Sequence, residues 1–158
     1  MALNYSPLLT QQQYVDAIVG FITGIEGHRD QVYDLHDGKA TIGYGYTFNR
    51  DNNVALWQAA GISLSSTELA LLQKIDAATT NAEKTRLGLT WTRNISHTEA
   101  TALLLRTYPE YESIADTTLG MPFSFERAAL VSLTYNYGPG NVNTAMKGFI
   151  SAVQIGNR

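Results

Sequence analysis

The sequence predicts an α+β fold that is mostly α, with one small antiparallel sheet near its N-terminal end. Three observations carry this reading. Apolar residues recur at helical spacing through most of the chain. Thr10–Gln13, Ser65–Glu68 and Ser96–Glu99 each fit the capping-box pattern, in which two side chains satisfy free amides at a helix start. Residues 28 to 50 read differently. Tyr33, Ala40, Thr41 and Ile42 suit strands, and Asp37-Gly38 is a strong hairpin-turn signal.

Residues 1 to 9 read as an extended arm, with Pro7 opposing an early helix. A helix from Thr10 carries Val15, Ile18, Val19, Ile22 and Ile25 as a core stripe and ends at Glu26-Gly27, where Gly27 supplies a left-handed stop. The small sheet follows. Asp51-Asn52-Asn53 is expected to cap a short helix with Leu56 and Trp57, stopped by Gly61. Ser65 opens the next, with Leu69, Leu72 and Ile75 on one face, and Thr80 to Leu87 is a polar helix or loop. This middle section suits an extra helical hairpin.

Ser96 opens a helix with Ala100, Leu103, Leu104 and Tyr108 on its face, kinked or ended by Pro109. Tyr111, Ile114 and Leu119 lead to a loop at Gly120-Met121-Pro122. Phe125 to Tyr137 is expected to be a central helix, burying Ala128, Ala129, Val131, Ser132 and Leu133 and stopped at Gly138-Pro139. A last helix covers Thr144 to Val153. No repeat or linker interrupts the chain. One domain over 1–158 is expected, with a β lobe around 26–50 and a helical part from 10–25 and 51–158.

Composition excludes several chemistries. The 158 residues are 44% hydrophobic, enough for a core without metal or disulfides, and there are no cysteines. Disulfides, thiolate nucleophiles and cysteine zinc sites are therefore out. The formal net charge is −3 and no basic run exists, which argues against nucleic acid as a partner and against a cationic surface for lipids or wall polymers. His28, His36 and His97 are too few and too dispersed for a metal site, so neither metal nor cofactor is expected. No nucleophile elbow, phosphate loop or dinucleotide fingerprint occurs. No apolar run approaches the ~18 residues of a membrane span. Met1 to Gln13 has no basic segment followed by an apolar one, so the expectation is a chain made in the cytoplasm without a signal peptide.

The chemistry gathers between Glu26 and Gly45. A carboxylate at a helix end faces a small sheet that carries Asp34, Asp37 and Thr41. Breaking a glycosidic bond needs one proton donor and one group that handles water or the sugar cation. At these residues the chain resembles the phage-type lysozymes, glycoside hydrolase family 24. Glu26, Gly27, Arg29, Tyr33, Gly38, Thr41, Ile42, Gly43 and Gly45 stand in the family's order and spacing. Where the family places its catalytic Asp, two residues after the Tyr, this chain has Leu35. A second, weaker patch joins Ser96–Leu105 to Arg127–Gly138.

The resemblance implies a lysozyme-like fold with a cleft between a sheet lobe and a helical lobe. It implies cleavage of the β-1,4 bond between N-acetylmuramic acid and N-acetylglucosamine in peptidoglycan, without a cofactor and with inversion. Glu26 would protonate the leaving oxygen, Thr41 would help position the attacking water, and Asn136 would bond an acetamido group. Gly43 and Gly45 allow close backbone approach to a sugar. Tyr44, Tyr46, Tyr135 and Tyr137 are candidates for stacking on sugars, each equally suited to the core, and Arg29 and Tyr33 read as supports. The second acid stays open among Asp37, Asp34 and Asp51, in that order of preference. Two settings fit such an enzyme: a phage endolysin released through a holin, or an antibacterial toxin delivered by a secretion or uptake system and matched by an immunity protein. Both would act on the wall in the periplasm. The alternative is a non-catalytic peptidoglycan-binding or structural module on the same scaffold, motivated by Leu35.

Overall fold

The computed structural model describes residues 5, 7–34 and 36–155. Most of the expected N-terminal arm, and Leu35, lie outside them. The chain is mostly helical with one three-stranded antiparallel sheet, the fold class its sequence predicts. It divides into two compact units, Glu26–Thr107 and Met1–Ile25 with Tyr108–Arg158.

In the unit Glu26–Thr107, strands β1 (Arg29–Tyr33), β2 (Thr41–Gly43) and β3 (Tyr46–Thr47) lie in the order β1-β2-β3. Tyr33 pairs with Thr41 and Arg29 with Gly43, and the ladder between these pairs is irregular because β1 spends extra residues there. Thr41 pairs with Thr47 and Ile42 with Tyr46. Such short strands cannot bury a face alone. Four helices complete the unit: α2 (Asn53–Ala59), α3 (Ser66–Ala77), α4 (Asn81–Gly88) and α5 (His97–Thr107). Ile42, Phe48, Trp57, Leu72, Ile75, Trp91 and Leu103 form one buried cluster with the sheet. The compact unit therefore runs well beyond the 26–50 lobe expected from sequence.

α4 lies tight against the sheet at Gly88. A Cβ added there would sit 2.7 Å from the Ala40 Cβ and 2.9 Å from the Phe48 Cβ. The capping boxes at Ser65 and Ser96 both form, with Glu68 and Glu99 each reaching back to the serine's amide (2.7 and 3.0 Å). The cap of α2 differs from expectation. Asn52 makes no capping bond with its side chain. The Asp76 carboxylate of α3 instead accepts the amides of Asn53 and Val54 (2.8 and 3.0 Å) and the Asn53 Nδ2 (2.7 Å).

Helix α1 (Gln11–Glu26) begins in the other unit, with the Thr10–Gln13 capping box formed. It buries Tyr14, Ile18 and Ile22, whereas Ile25 is exposed, outside the expected stripe. A 3-10 turn (Tyr108–Tyr111) carries Pro109, and a π-helical turn (Ile114–Thr118) follows. α6 (Phe125–Tyr137) has the bounds its sequence predicts, opened by Ser124 and closed by Gly138 at φ 78°.

α6 buries Ala128, Val131 and Ser132 as expected, but also Arg127, while Ala129 is exposed and Leu133 only partly buried. Arg127 accounts for that rotation. Its guanidinium donates to the Tyr14 hydroxyl (3.0 Å), the Met121 carbonyl (2.7 Å) and Glu112 (3.1 Å), and it lies near the faces of Tyr14 and Phe123. The expected last helix, Thr144–Val153, is α8 (Lys147–Gln154), and an unexpected short helix, α7 (Pro139–Ala145), precedes it. Pro139 starts α7, a position where its missing amide costs nothing.

Candidate active site around Glu26

Glu26 is the last residue of α1, and Gly27 at φ 64° turns the chain out of the helix and into β1. The carboxyl is partly buried. It has no hydrogen-bond or ion-pair partner among the described residues, and burial alone raises its pKa above the ordinary carboxylate value. A carboxyl in that state retains a proton at higher pH than a solvated one and can donate it. Arg29, the neighbour most able to neutralise Glu26, lies over the Tyr33 ring instead, with its Cζ 5.6 Å from the centroid.

Tyr33 reports what surrounds it. Burial first, then the negative charge of Glu26, pushes its phenol up, with Arg29 opposing and Asp37 adding to the rise. Glu26, Arg29, Tyr33 and Asp37 thus share one electrostatic neighbourhood. Thr41 joins it as the strand partner of Tyr33 and is buried.

The other acids of this unit are all engaged. Asp34 accepts the amide of His36 (2.7 Å), and Asp37 closes its own turn by accepting the amide of Lys39 (3.1 Å). Asp51 pairs with Lys84 and is largely exposed. Asp30 accepts from Asn94, and Asp76 caps α2. Glu68 and Glu99 serve their capping boxes and Glu83 pairs with Arg86. Among the described carboxylates of Glu26–Thr107, Glu26 is the one without a partner. Leu35, at the family's acid position, lies outside the described residues.

Of the residues expected to meet sugar, Gly45 forms the turn between β2 and β3 at φ 82°. Tyr46 is a correction. It is 2% exposed, packs edge-on against Phe48 and Trp57, and donates its hydroxyl to Asn53 Oδ1 at 2.6 Å. Its ring belongs to the core and leaves the binding set. Tyr44 is also buried, with its hydroxyl 2.8 Å from His97 Nδ1.

Two residues lie in the other unit. Tyr135 packs against Tyr111, with ring centroids 4.8 Å apart. Asn136 is exposed, donates to the Ser132 carbonyl (2.9 Å), and lines a mostly apolar groove of about 430 Å³ with Phe21, Ile25, Ala129, Leu133 and Tyr137.

One grouping was missed from sequence. The rings of His28 and His97 stack with centroids 3.8 Å apart, beside Tyr44. Nothing in their spacing announces this, because one follows the stop of α1 and the other opens α5. No group of three or more metal-ligating side chains occurs among the described residues.

The phage lysozyme family model matches residues 23–152, from the last turns of α1 into α8. The chain belongs to the phage lysozyme family. No curated protein and no solved structure gave a significant match. Membership makes this a lysozyme-like protein in general and implies peptidoglycan as its substrate.

Proposed function

We propose that this protein cleaves the β-1,4 bond between N-acetylmuramic acid and N-acetylglucosamine in peptidoglycan, with Glu26 as the general acid. The observation that carries the reading is the state of Glu26: partly buried, raised in pKa and unpartnered in a unit whose other carboxylates are all engaged. In the reaction Glu26 delivers its proton to the glycosidic oxygen as the bond to C1 breaks, so the leaving sugar departs as an alcohol. Thr41, on the strand beside Tyr33, offers a hydroxyl to the incoming nucleophile. Gly45, on the turn between β2 and β3, is the proposed sugar contact of this unit.

The protein would reach the wall from the cytoplasm, either through a holin or by a secretion or uptake system. In the second case an immunity protein protects the producer. A binding module without turnover is the second reading, favoured by Asp34 and Asp37 each being tied to a backbone amide.

Digestion of purified peptidoglycan by wild type and Glu26→Gln, read by mass spectrometry, separates the two. Muropeptides ending in N-acetylmuramic acid, released by wild type alone, support the enzyme. Saccharide binding with no release by either protein supports the module.

A further inference from the structure

We infer that Asp37 is the second carboxylate of the reaction, the base that takes a proton from the attacking water, and that Thr85 and Asn49 position it by pinning the tip of the β1–β2 hairpin. This rests on the glycan-cleaving reading above and names the group that completes it.

Hydrolysis asks for an acid at the leaving oxygen and a carboxylate for the other half of the reaction. Leu35, at the family's acid position, cannot accept a proton, so the second group must stand elsewhere. Asp34 and Asp37 both lie in the connection between β1 and β2, which the Tyr33–Thr41 pair closes. Their surroundings separate them. The negative charge of Asp37, like that of Glu26, acts on the Tyr33 phenol, whereas Asp34, although next to Tyr33 in sequence, does not. Asp37 and Glu26 therefore approach one ring, and the strand partner of that ring is Thr41. The bond from the Lys39 amide occupies Oδ1 of Asp37 and fixes the direction of the carboxylate. Its other oxygen is left to accept a proton.

The hairpin tip is held in place. The backbone is left-handed at His36 (φ 61°) and Gly38 (φ 77°), on either side of Asp37. For a histidine that conformation is unfavourable, and it persists where the surroundings impose it. The restraint comes from outside the hairpin. The hydroxyl of Thr85, buried on α4, donates to the Gly38 carbonyl. Asn49 donates to the Thr85 hydroxyl (2.8 Å) and accepts the Ala40 amide (3.2 Å) through its Oδ1. The residues after Asp37 are thus tied to α4 and to the segment after β3.

In the reaction Glu26 protonates the glycosidic oxygen as its bond to C1 breaks. A water oxygen forms the new bond to C1 and passes one proton to Asp37. The sugar gains a hydroxyl at C1, and both carboxyl groups reset by exchanging protons with solvent.

The experiment measures kcat, KM and their pH dependence for the full chain on soluble, uncrosslinked peptidoglycan strands. Asp37→Asn can still accept the Lys39 amide. It should lower kcat by at least about a hundred-fold with KM and melting temperature unchanged, and remove the acid limb of the kcat/KM profile. Asp34→Asn should keep the rate and both limbs. Thr85→Val should lower kcat without moving KM, and Thr85→Ser, which keeps the hydroxyl, should restore it. Asp37→Ser replaces Asp37→Asn if that variant fails to fold. An Asp37 variant as active as the wild type, or one whose residual activity keeps the acid limb, overturns the inference, as does an equal loss in Asp34→Asn. An active wild type beside an inactive Glu26→Gln leaves the reading beneath it standing in each of these cases. No products from the wild type overturn both.

Discussion

Gly88→Ala tests whether the contact of α4 with the sheet is as tight as the structure places it. The new methyl would lie 2.7 and 2.9 Å from the Cβ atoms of Ala40 and Phe48. Ordinary contact begins near 3.4 Å, so about 0.5–0.7 Å must be found on each side. Both neighbours are Cβ atoms and cannot rotate aside, so α4 or the sheet has to move. Overpacking of this kind costs about 1–3 kcal/mol. Replacing glycine in a helix returns roughly 0.5–1 kcal/mol. The steric effect wins, and a net loss of about 1–2 kcal/mol is expected. Gly20→Ala is the control. Gly20 lies inside α1 with nothing within 4 Å of the added methyl, so only the helix gain remains, about 0.5–1 kcal/mol of stabilisation. Urea denaturation reads both, and at unchanged m-value the two midpoints move in opposite directions. A Gly88→Ala protein as stable as the wild type would refute the reasoning, as would two variants shifted alike.

Three further predictions concern charge and product. Because burial raises the Glu26 pKa, the folded state binds its proton more tightly than the unfolded one, and the stability this lends is complete below the unfolded value of about 4.3 and lost as pH rises through the folded value. Glu26→Gln should therefore melt higher than wild type at neutral pH, with the gap closing towards pH 4; a constant gap, or a lower melting point, contradicts the assignment. Arg127→Ala leaves Glu112 and the Tyr14 hydroxyl without their cation and should cost about 3–5 kcal/mol in equilibrium unfolding; a loss under about 1 kcal/mol would make the network ornamental. Leu35→Asp restores the acid of the family pattern and should raise the rate of muropeptide release from peptidoglycan. If the rate does not change, the acid at this position is not what limits the reaction.

What was legible in the sequence was local. The three capping boxes, the stop at Gly27 and the bounds of α6 each depend on residues within four positions of one another, and all are as expected. The turn at Asp37 is local in the same way. The cap on α2 was not legible, because Asp76 lies 23 residues from Asn53. Tyr46 had the same signal as a sugar-stacking tyrosine, and only its hydrogen bond to Asn53 and its contacts with Phe48 and Trp57 place it in the core. α7 was not legible because Pro139 and Gly140, which open it, read as part of the stop after α6. For the candidate site, the engagement of each acid was not readable from spacing. Lys84, which ties up Asp51, is 33 residues away.

That engagement is the physical reason to place the proposed chemistry on Glu26. A folded chain gains by pairing its carboxylates, and this unit does so with turns, caps and ion pairs. A partly buried acid left unpaired at neutral pH costs stability, and such a cost persists where function requires it. Arg29 lies three residues away and would pair readily, yet its guanidinium rests on Tyr33. A paired Glu26 would have a lowered pKa and would be a poor donor to a glycosidic oxygen. Turning Arg29 towards Glu26 would therefore stabilise the fold and remove the proton that the proposed reaction needs. The cation–π contact of Arg29 with Tyr33, about 0.5–1 kcal/mol at an exposed site, favours the arrangement in which the guanidinium stays off the carboxyl.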